Sequence, residues 1–302
     1  MQSSPFPMRR RLATTILAAL LLCGPRLGLS QNSAPLAPLP NANEILQRAL
    51  ANERKLADER ERYECRVTTT AIETDSRGNT KKNTTEVQDQ FFVNGIAIER
   101  TFQKNGKDLS PDETKKEDER VMKETLKYSN QATAKKEEDK QNQELGDFME
   151  AMMLANGRRE CINDHSGGRS VLFYDILPNP RFEARNLNQR LAQVMQGKIS
   201  IDEQTGEPID IEVKSVADLK IFGGLLANVH KGLWLHIHNH PEPDGVWLTD
   251  LAEGSGDARA ALFLHPYFRF KETADSCHLY TATASQVGPV QVVKQQQVTK
   301  QP

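Results

Sequence analysis

Apolar positions along the 302-residue chain change their period several times, and each change predicts an element. Ile45, Leu46, Ala49, Leu50 and Leu56 recur at helical spacing behind Asn43, so an amphipathic first helix is expected with that asparagine as its cap. From Tyr63 the texture becomes β-branched, and "YECRVTTTAIET" reads as a strand. "TTEVQDQFFVNGIAIERTF" reads as two strands joined by Asn94–Gly95, the strongest short hairpin signal. Ser110, Pro111 and Glu113 then form the signature of a capped helix start. The run from Asp112 to Gln143 is nearly all charge and amide, with only Val121, Met122, Leu126 and Tyr128 as an apolar side. It is expected to be a solvated helix that frays into a mobile segment, with no chemistry of its own.

Leu145, Phe148, Met149, Met152 and Met153 follow at i, i+3, i+4, i+7 and i+8, which predicts one helical stripe ended by Asn156–Gly157. Strand texture then resumes. "RECINDHSGGRSVLFYDI" reads as a hairpin over Gly167–Gly168, and a short helix is expected near Asn186–Met195. In "GKISIDEQTGEPIDIEVKS", Ile199 and Ile201 alternate before the turn, and Ile209, Ile211 and Val213 alternate after it. That is a hairpin with one buried face. Strands continue through "LWLHIHNH", "GVWLTDLA", "YFRFKE" and "CHLYTATA". The sum is an α+β domain, residues 43–285. It has one curved antiparallel sheet with helices over one face, and a charged helical insertion at 111–156.

The ends add a compartment. Arg9, Arg10 and Arg11 precede the apolar run "LATTILAALLLCG", which has signal-peptide length and is too short to span a bilayer. Gly28 and Ser30 place cleavage after Ser30; lipidation at Cys23 is disfavoured because Leu22 precedes it. An exported, periplasmic chain follows, with no transmembrane segment once mature. A proline-rich leader is expected at 31–42 and a disordered tail at 286–302. Formal net charge is −2, and the signal peptide holds four arginines and no acid, so the mature surface is mildly acidic and nucleic acid is not an expected partner. Cys65, Cys161 and Cys277 remain, enough for one disulfide and one thiol, in any of three pairings.

"GKISIDEQTGEPIDIEV", with "NGIAIERTFQKNGKDLS" and "DGVWLTD", resembles the periplasmic lipoprotein-sorting (Lol) carriers and related sigma-factor regulators, within an exported, uncharacterised branch. The resemblance spans most of Asn43 to Thr283, although the charged insertion is longer than a typical carrier has. It implies an incomplete, half-open β-barrel closed by helices, whose apolar interior suits an acyl chain or lipidated protein. Phe148, Met149, Met152 and Met153 would then be lid residues, since methionine adapts to irregular apolar partners. A sensor or assembly factor that binds an envelope protein is the alternative the same family implies.

Catalytic machinery is not expected: no phosphate loop, G-x-S-x-G elbow or H-E-x-x-H helix occurs. Cys161, Asp164 and His165 lie close in sequence, but a strand separates Cys161 from His165 by about 13 Å. The paired acids Asp202 and Glu203 read as solvated turn residues. No cofactor is implied.

His236, His238 and His240 alternate with Leu235 and Ile237, so they face away from the buried side. Neighbours in that row are roughly 6.7 Å apart, so two can share an ion if other ligands join them. A metal-binding strand is therefore a third possibility beside an ordinary polar face. A five-residue "PEPDG" loop sets His236 opposite Asp250, and a four-residue loop sets it opposite Thr249.

Overall fold

A computed structural model of the chain describes residues 38–75, 77–164, 167–221, 227–260 and 267–279. The expected signal peptide with Cys23, its cleavage site, His165 and the tail lie outside these residues. In chain order the elements are α1 (Ala42–Arg60), β1 (Tyr63–Thr74), β2 (Thr80–Val93), β3 (Ile96–Lys104) and β4 (Lys107–Asp108). Then come α2 (Pro111–Ser129), α3 (Gln131–Ala151), β5 (Met153–Asp164), β6 (Gly167–Leu177) and α4 (Leu187–Ala192). The remaining strands are β7 (Met195–Asp202), β8 (Pro208–Ser215), β9 (Leu219–Ile221), β10 (Ala227–Val229), β11 (Trp234–Pro241), β12 (Trp247–Ala260) and β13 (Tyr267–Leu279).

Among the described residues the strands form one antiparallel sheet in the order β4-β3-β2-β1-β13-β12-β11-β8-β7-β6-β5, with β9 and β10 branching from β12. The end strands β4 and β5 do not pair, so the sheet is open. Because β1 pairs with β13, the first and last of these strands lie side by side inside the sheet. Cys65 and Cys277 are direct partners in that ladder and form a disulfide, leaving Cys161 as an exposed thiol.

Local chemistry explains most boundaries. Asn94 and Gly95 both take positive φ, 48° and 79°, the geometry of a tight hairpin turn between β2 and β3. Ser110 and Glu113 complete a reciprocal capping box at α2. The charged run does not fray. It continues as α2 and α3 with Asn130 capping the second helix, and pairs such as Arg120–Glu124, Lys135–Asp139 and Lys140–Glu144 sit one turn apart. The first helix begins at Ala42, so Asn43 lies inside it rather than at its cap, and the first turn closes from Ile45 N–H to Asn41 O.

Three other expectations need correction. Helix α3 stops at Ala151, and Met152 is its extended C-cap, so Met153 starts β5 instead of finishing the stripe. Asn156–Gly157 does not end a helix; it is a bulge in β5, where Asn156 has φ 51° and pairing with β6 slips between Ala155 and Arg158. Finally, Tyr267 to Leu279 is one continuous strand, not two.

The larger buried cluster joins Ile45 of α1 to Leu172, Tyr174 and Ile176 of β6, Met195, Ile199 and Ile201 of β7, and Val213 of β8. A second gathers Tyr63, Cys65 and Val67 of β1 with Val246 and Leu248. The "DEQTGE" turn between β7 and β8 anchors α1. Asp202 is buried, and its Oδ1 accepts from Thr205 N–H and Oγ1–H at 2.7 and 2.9 Å, while Gly206 supplies a positive φ of 81°. Arg48 and Asn52 of α1 donate to the Glu203 and Thr205 carbonyls. The Glu203 carboxylate takes two hydrogen bonds from Arg159 and one from Ser170, and the Arg159 bonds, with Ser170, hold it below the usual carboxylate range. These acids are structural anchors, not solvated turn residues.

Candidate functional site

The inner face of the sheet is built by alternation. Ile199 and Ile201 of β7 and Ile211 and Val213 of β8 project from it, as do Leu235 and Ile237 of β11 and Phe268 and Phe270 of β13. Ile209 does not join them: pairing steps from Ser200↔Asp210 to Ile201↔Pro208, which leaves Ile209 as the extra residue of a bulge. Leu46 and Ala49 of α1, Leu145, Phe148 and Met149 of α3, and its C-cap Met152 line the same space. That space is a cavity of about 550 Å³. Its volume is that of a typical small-molecule pocket, and its lining is almost wholly aliphatic and aromatic.

Of the four expected lid residues, Phe148, Met149 and Met152 line this cavity, and Met153 does not. Met153 is 38% exposed at the start of β5. Sequence reasoning named none of the strand residues as ligand contacts, although their period-two spacing was visible. The alternation in "YFRF" also marked Phe268 and Phe270.

A second cavity of about 340 Å³ adjoins the first, and Arg60, Ile237 and Thr249 line both. Its wall is more polar, including Gln90 of β2 and Glu272 of β13. Burial, and then the Glu99 carboxylate, raise the Glu272 carboxyl above its ordinary range, against a hydrogen bond from Thr69. Behind it, the buried Gln88 amide donates to Glu99 and Thr101 at 3.1 and 3.2 Å. Arg60 Nε donates to the Trp247 carbonyl at 3.1 Å.

The histidine row occupies the other face of β11. The hairpin turn spans residues 242–246, and Asn239↔Thr249 is followed by His238↔Leu251, so neither expected register occurs. His236 lies opposite Glu253, and Asp250 is the bulged residue. That bulge brings one carboxylate to two imidazoles: Asp250 Oδ1 is 2.6 Å from His238 Nδ1, and Oδ2 is 3.7 Å from His240 Nδ1. His240 also meets Glu242 at 3.1 Å. Among the described residues no group of histidine, cysteine, aspartate and glutamate side chains is arranged to hold a metal ion. The turn itself is tied to β1, because Asp244 accepts from Tyr63 Oη at 2.7 Å and pairs with Arg62 at 3.0 Å. Burial, then that hydrogen bond, pushes the Tyr63 phenol up to about 12.

His236 Nε2 is 2.8 Å from Asp210 Oδ2, and Nδ1 is 3.3 Å from Glu253 Oε1. Burial opposes its charge, but the two carboxylates outweigh that and raise its pKa above the ordinary value. A raised histidine pKa stabilises the fold fully below the unfolded value of about 6.5, and that contribution fades as pH rises through the folded value. His236→Gln is therefore expected to lower the melting temperature more at about pH 5.5 than at about pH 8.5. An equal loss at both pH values, or a larger loss at the higher one, contradicts the pairing.

Among the described residues no helix is long and apolar enough to cross a membrane. No protein-family model and no curated protein matches the chain. Among solved structures, one described as an outer membrane lipoprotein-sorting protein domain from Vibrio parahaemolyticus is similar at 13% identity and TM-score 0.34, over 81% of this chain and 96% of that one. MucB in complex with MucA(peri) is similar at 10% identity and TM-score 0.22, over 80% of this chain and 100% of that one. Neither likeness is close enough to transfer a function.

Proposed function

We propose that the chain is an exported, non-enzymatic binding protein. It encloses an acyl chain, of a lipid or of a lipidated protein, between the open sheet and helices α1 and α3. The observation that carries this reading is the cavity of about 550 Å³ walled by residues such as Ile211, Leu235, Phe148 and Phe270. Each methylene moved from water into such a site contributes about 0.8 kcal/mol, so a chain of ten carbons supplies ample driving force. Phe148, Met149 and Met152 act as the lid, and the unbranched methionines fit chains of varied shape. In this reading the sheet is the wall of a half-open barrel and the helices are its closure.

Export is supported by the arginine-led apolar run at the N-terminus and by the Cys65–Cys277 disulfide, which suits an oxidising compartment. The polar groups beside the cavity have structural partners: Asn239 accepts from Thr249 and donates to the Pro208 carbonyl. Such groups position the walls and need no reaction to explain them. Extraction and mass analysis of material purified without detergent is expected to recover about one alkyl-chain molecule per protein. Recovery of none, together with no uptake of a fluorescent fatty acid, contradicts the proposal.

A further inference from the structure

We infer that the bound amphiphile carries a hydrogen-bond-donating headgroup, an amine or a hydroxyl, which sits in the second chamber against Glu272 and Gln90. This rests on the reading of the first chamber as an acyl site. The two chambers share Arg60, Ile237 and Thr249, so a chain lying on Ile237 leads its head past Thr249.

The inner face changes character along the sheet, and that change dictates the head. On β7, β8 and β11 it is mostly aliphatic; on β1, β2, β3 and β13 it mixes apolar residues such as Val67, Phe92 and Phe270 with Thr69, Gln88, Gln90, Glu99 and Glu272. Cations near the chamber are engaged. Arg60 is held by the Trp247 carbonyl, while Lys104 and Arg120 pair with Glu86 and Glu117. Asp250 is turned to the histidine row. Among the described residues the Glu272 carboxylate has one side-chain hydrogen bond, a 3.3 Å contact from Thr69, and the Gln90 side chain has none.

Acceptor capacity is thus left over where the head would lie. Burial and Glu99 also make an uncompensated charge on Glu272 unfavourable, a penalty that an incoming ammonium or hydroxyl donor relieves. A carboxylate head would meet a carboxylate instead.

Calorimetric titration at neutral pH with three twelve-carbon probes tests this: dodecylamine, monolaurin and laurate. The full-length mature protein is expected to bind the amine and the glyceride about tenfold or more tighter than laurate. The two donor probes separate a cationic from a neutral head. Glu272→Gln is expected to weaken dodecylamine about tenfold, to leave the apolar probe N-phenyl-1-naphthylamine unchanged, and to hold or strengthen laurate, which loses a carboxylate neighbour. The naphthylamine result also certifies that the variant is folded and its first chamber intact. Equal affinity for all three probes, preference for laurate, or a uniform loss in Glu272→Gln overturns the headgroup assignment alone. If no probe binds, the acyl-site reading falls with it.

Discussion

Replacing Cys65 and Cys277 together by alanine is expected to lower the melting temperature by on the order of 10 °C or more. The two cysteines are 212 residues apart and face each other on β1 and β13. That ladder is where strands β1–β4 meet strands β5–β13, so no short connection holds the seam. In the chain-entropy treatment, closing a loop of this length in the unfolded state contributes about 5 kcal/mol. Reductant should reproduce the loss in the natural protein and have no further effect on the double variant. Cys161→Ala is the control: its thiol is exposed and unbonded, so thermal melting should barely move. Equal melting of the natural protein and the double variant contradicts the assignment of a structural clasp.

The second large effect concerns the lid. Phe148→Ser combined with Met152→Ser is expected to weaken acyl-chain binding by about a hundredfold. Each side chain lines the cavity, and losing the burial of one such group removes roughly 1.5–3 kcal/mol. Both are only partly buried against the main cluster, and Leu172, Ile176 and Ile201 beneath them are untouched. Strand content by circular dichroism should therefore stay the same while affinity for a fluorescent fatty acid collapses. The same two substitutions at Met122 and Leu126, exposed on α2, should leave affinity unchanged. Retained binding in the lid variant contradicts the assignment of α3 as the closing wall.

What could be read beforehand follows from how local each signal is. The β2–β3 turn rests on two residues, and the α2 cap on four, so sequence carries them in full. Strand β1 was visible from Tyr63 to Thr74 because half of its twelve residues are β-branched, with Val67 to Thr70 in one run. The β1–β13 pairing was not visible, since its partners lie some two hundred residues apart and no local rule joins them. The choice among Cys65, Cys161 and Cys277 depended on that pairing and stayed open with it.

The lid shows a subtler limit. Helical spacing continues through Met153, but the backbone leaves the helix after Ala151, so the last residue of the stripe falls on a strand. Spacing alone cannot mark a helix end when the next apolar residue happens to keep the period. Turn position and bulges caused the rest. A turn at 242–246 instead of 241–245 moved every partner of the histidine row, the extra residue at Asp250 moved those of His236 and His238 one step further, and another at Ile209 took that side chain out of the inner face. With those placed, the row is a set of imidazole–carboxylate pairs on the outside of the cavity wall.

The most direct test of the acyl-site account is native mass spectrometry of the purified protein, with and without one equivalent of an added twelve-carbon amphiphile. The account predicts a one-to-one adduct that survives transfer and is lost in the Phe148→Ser, Met152→Ser variant. A bare protein mass in every sample, with the fold intact, would contradict it.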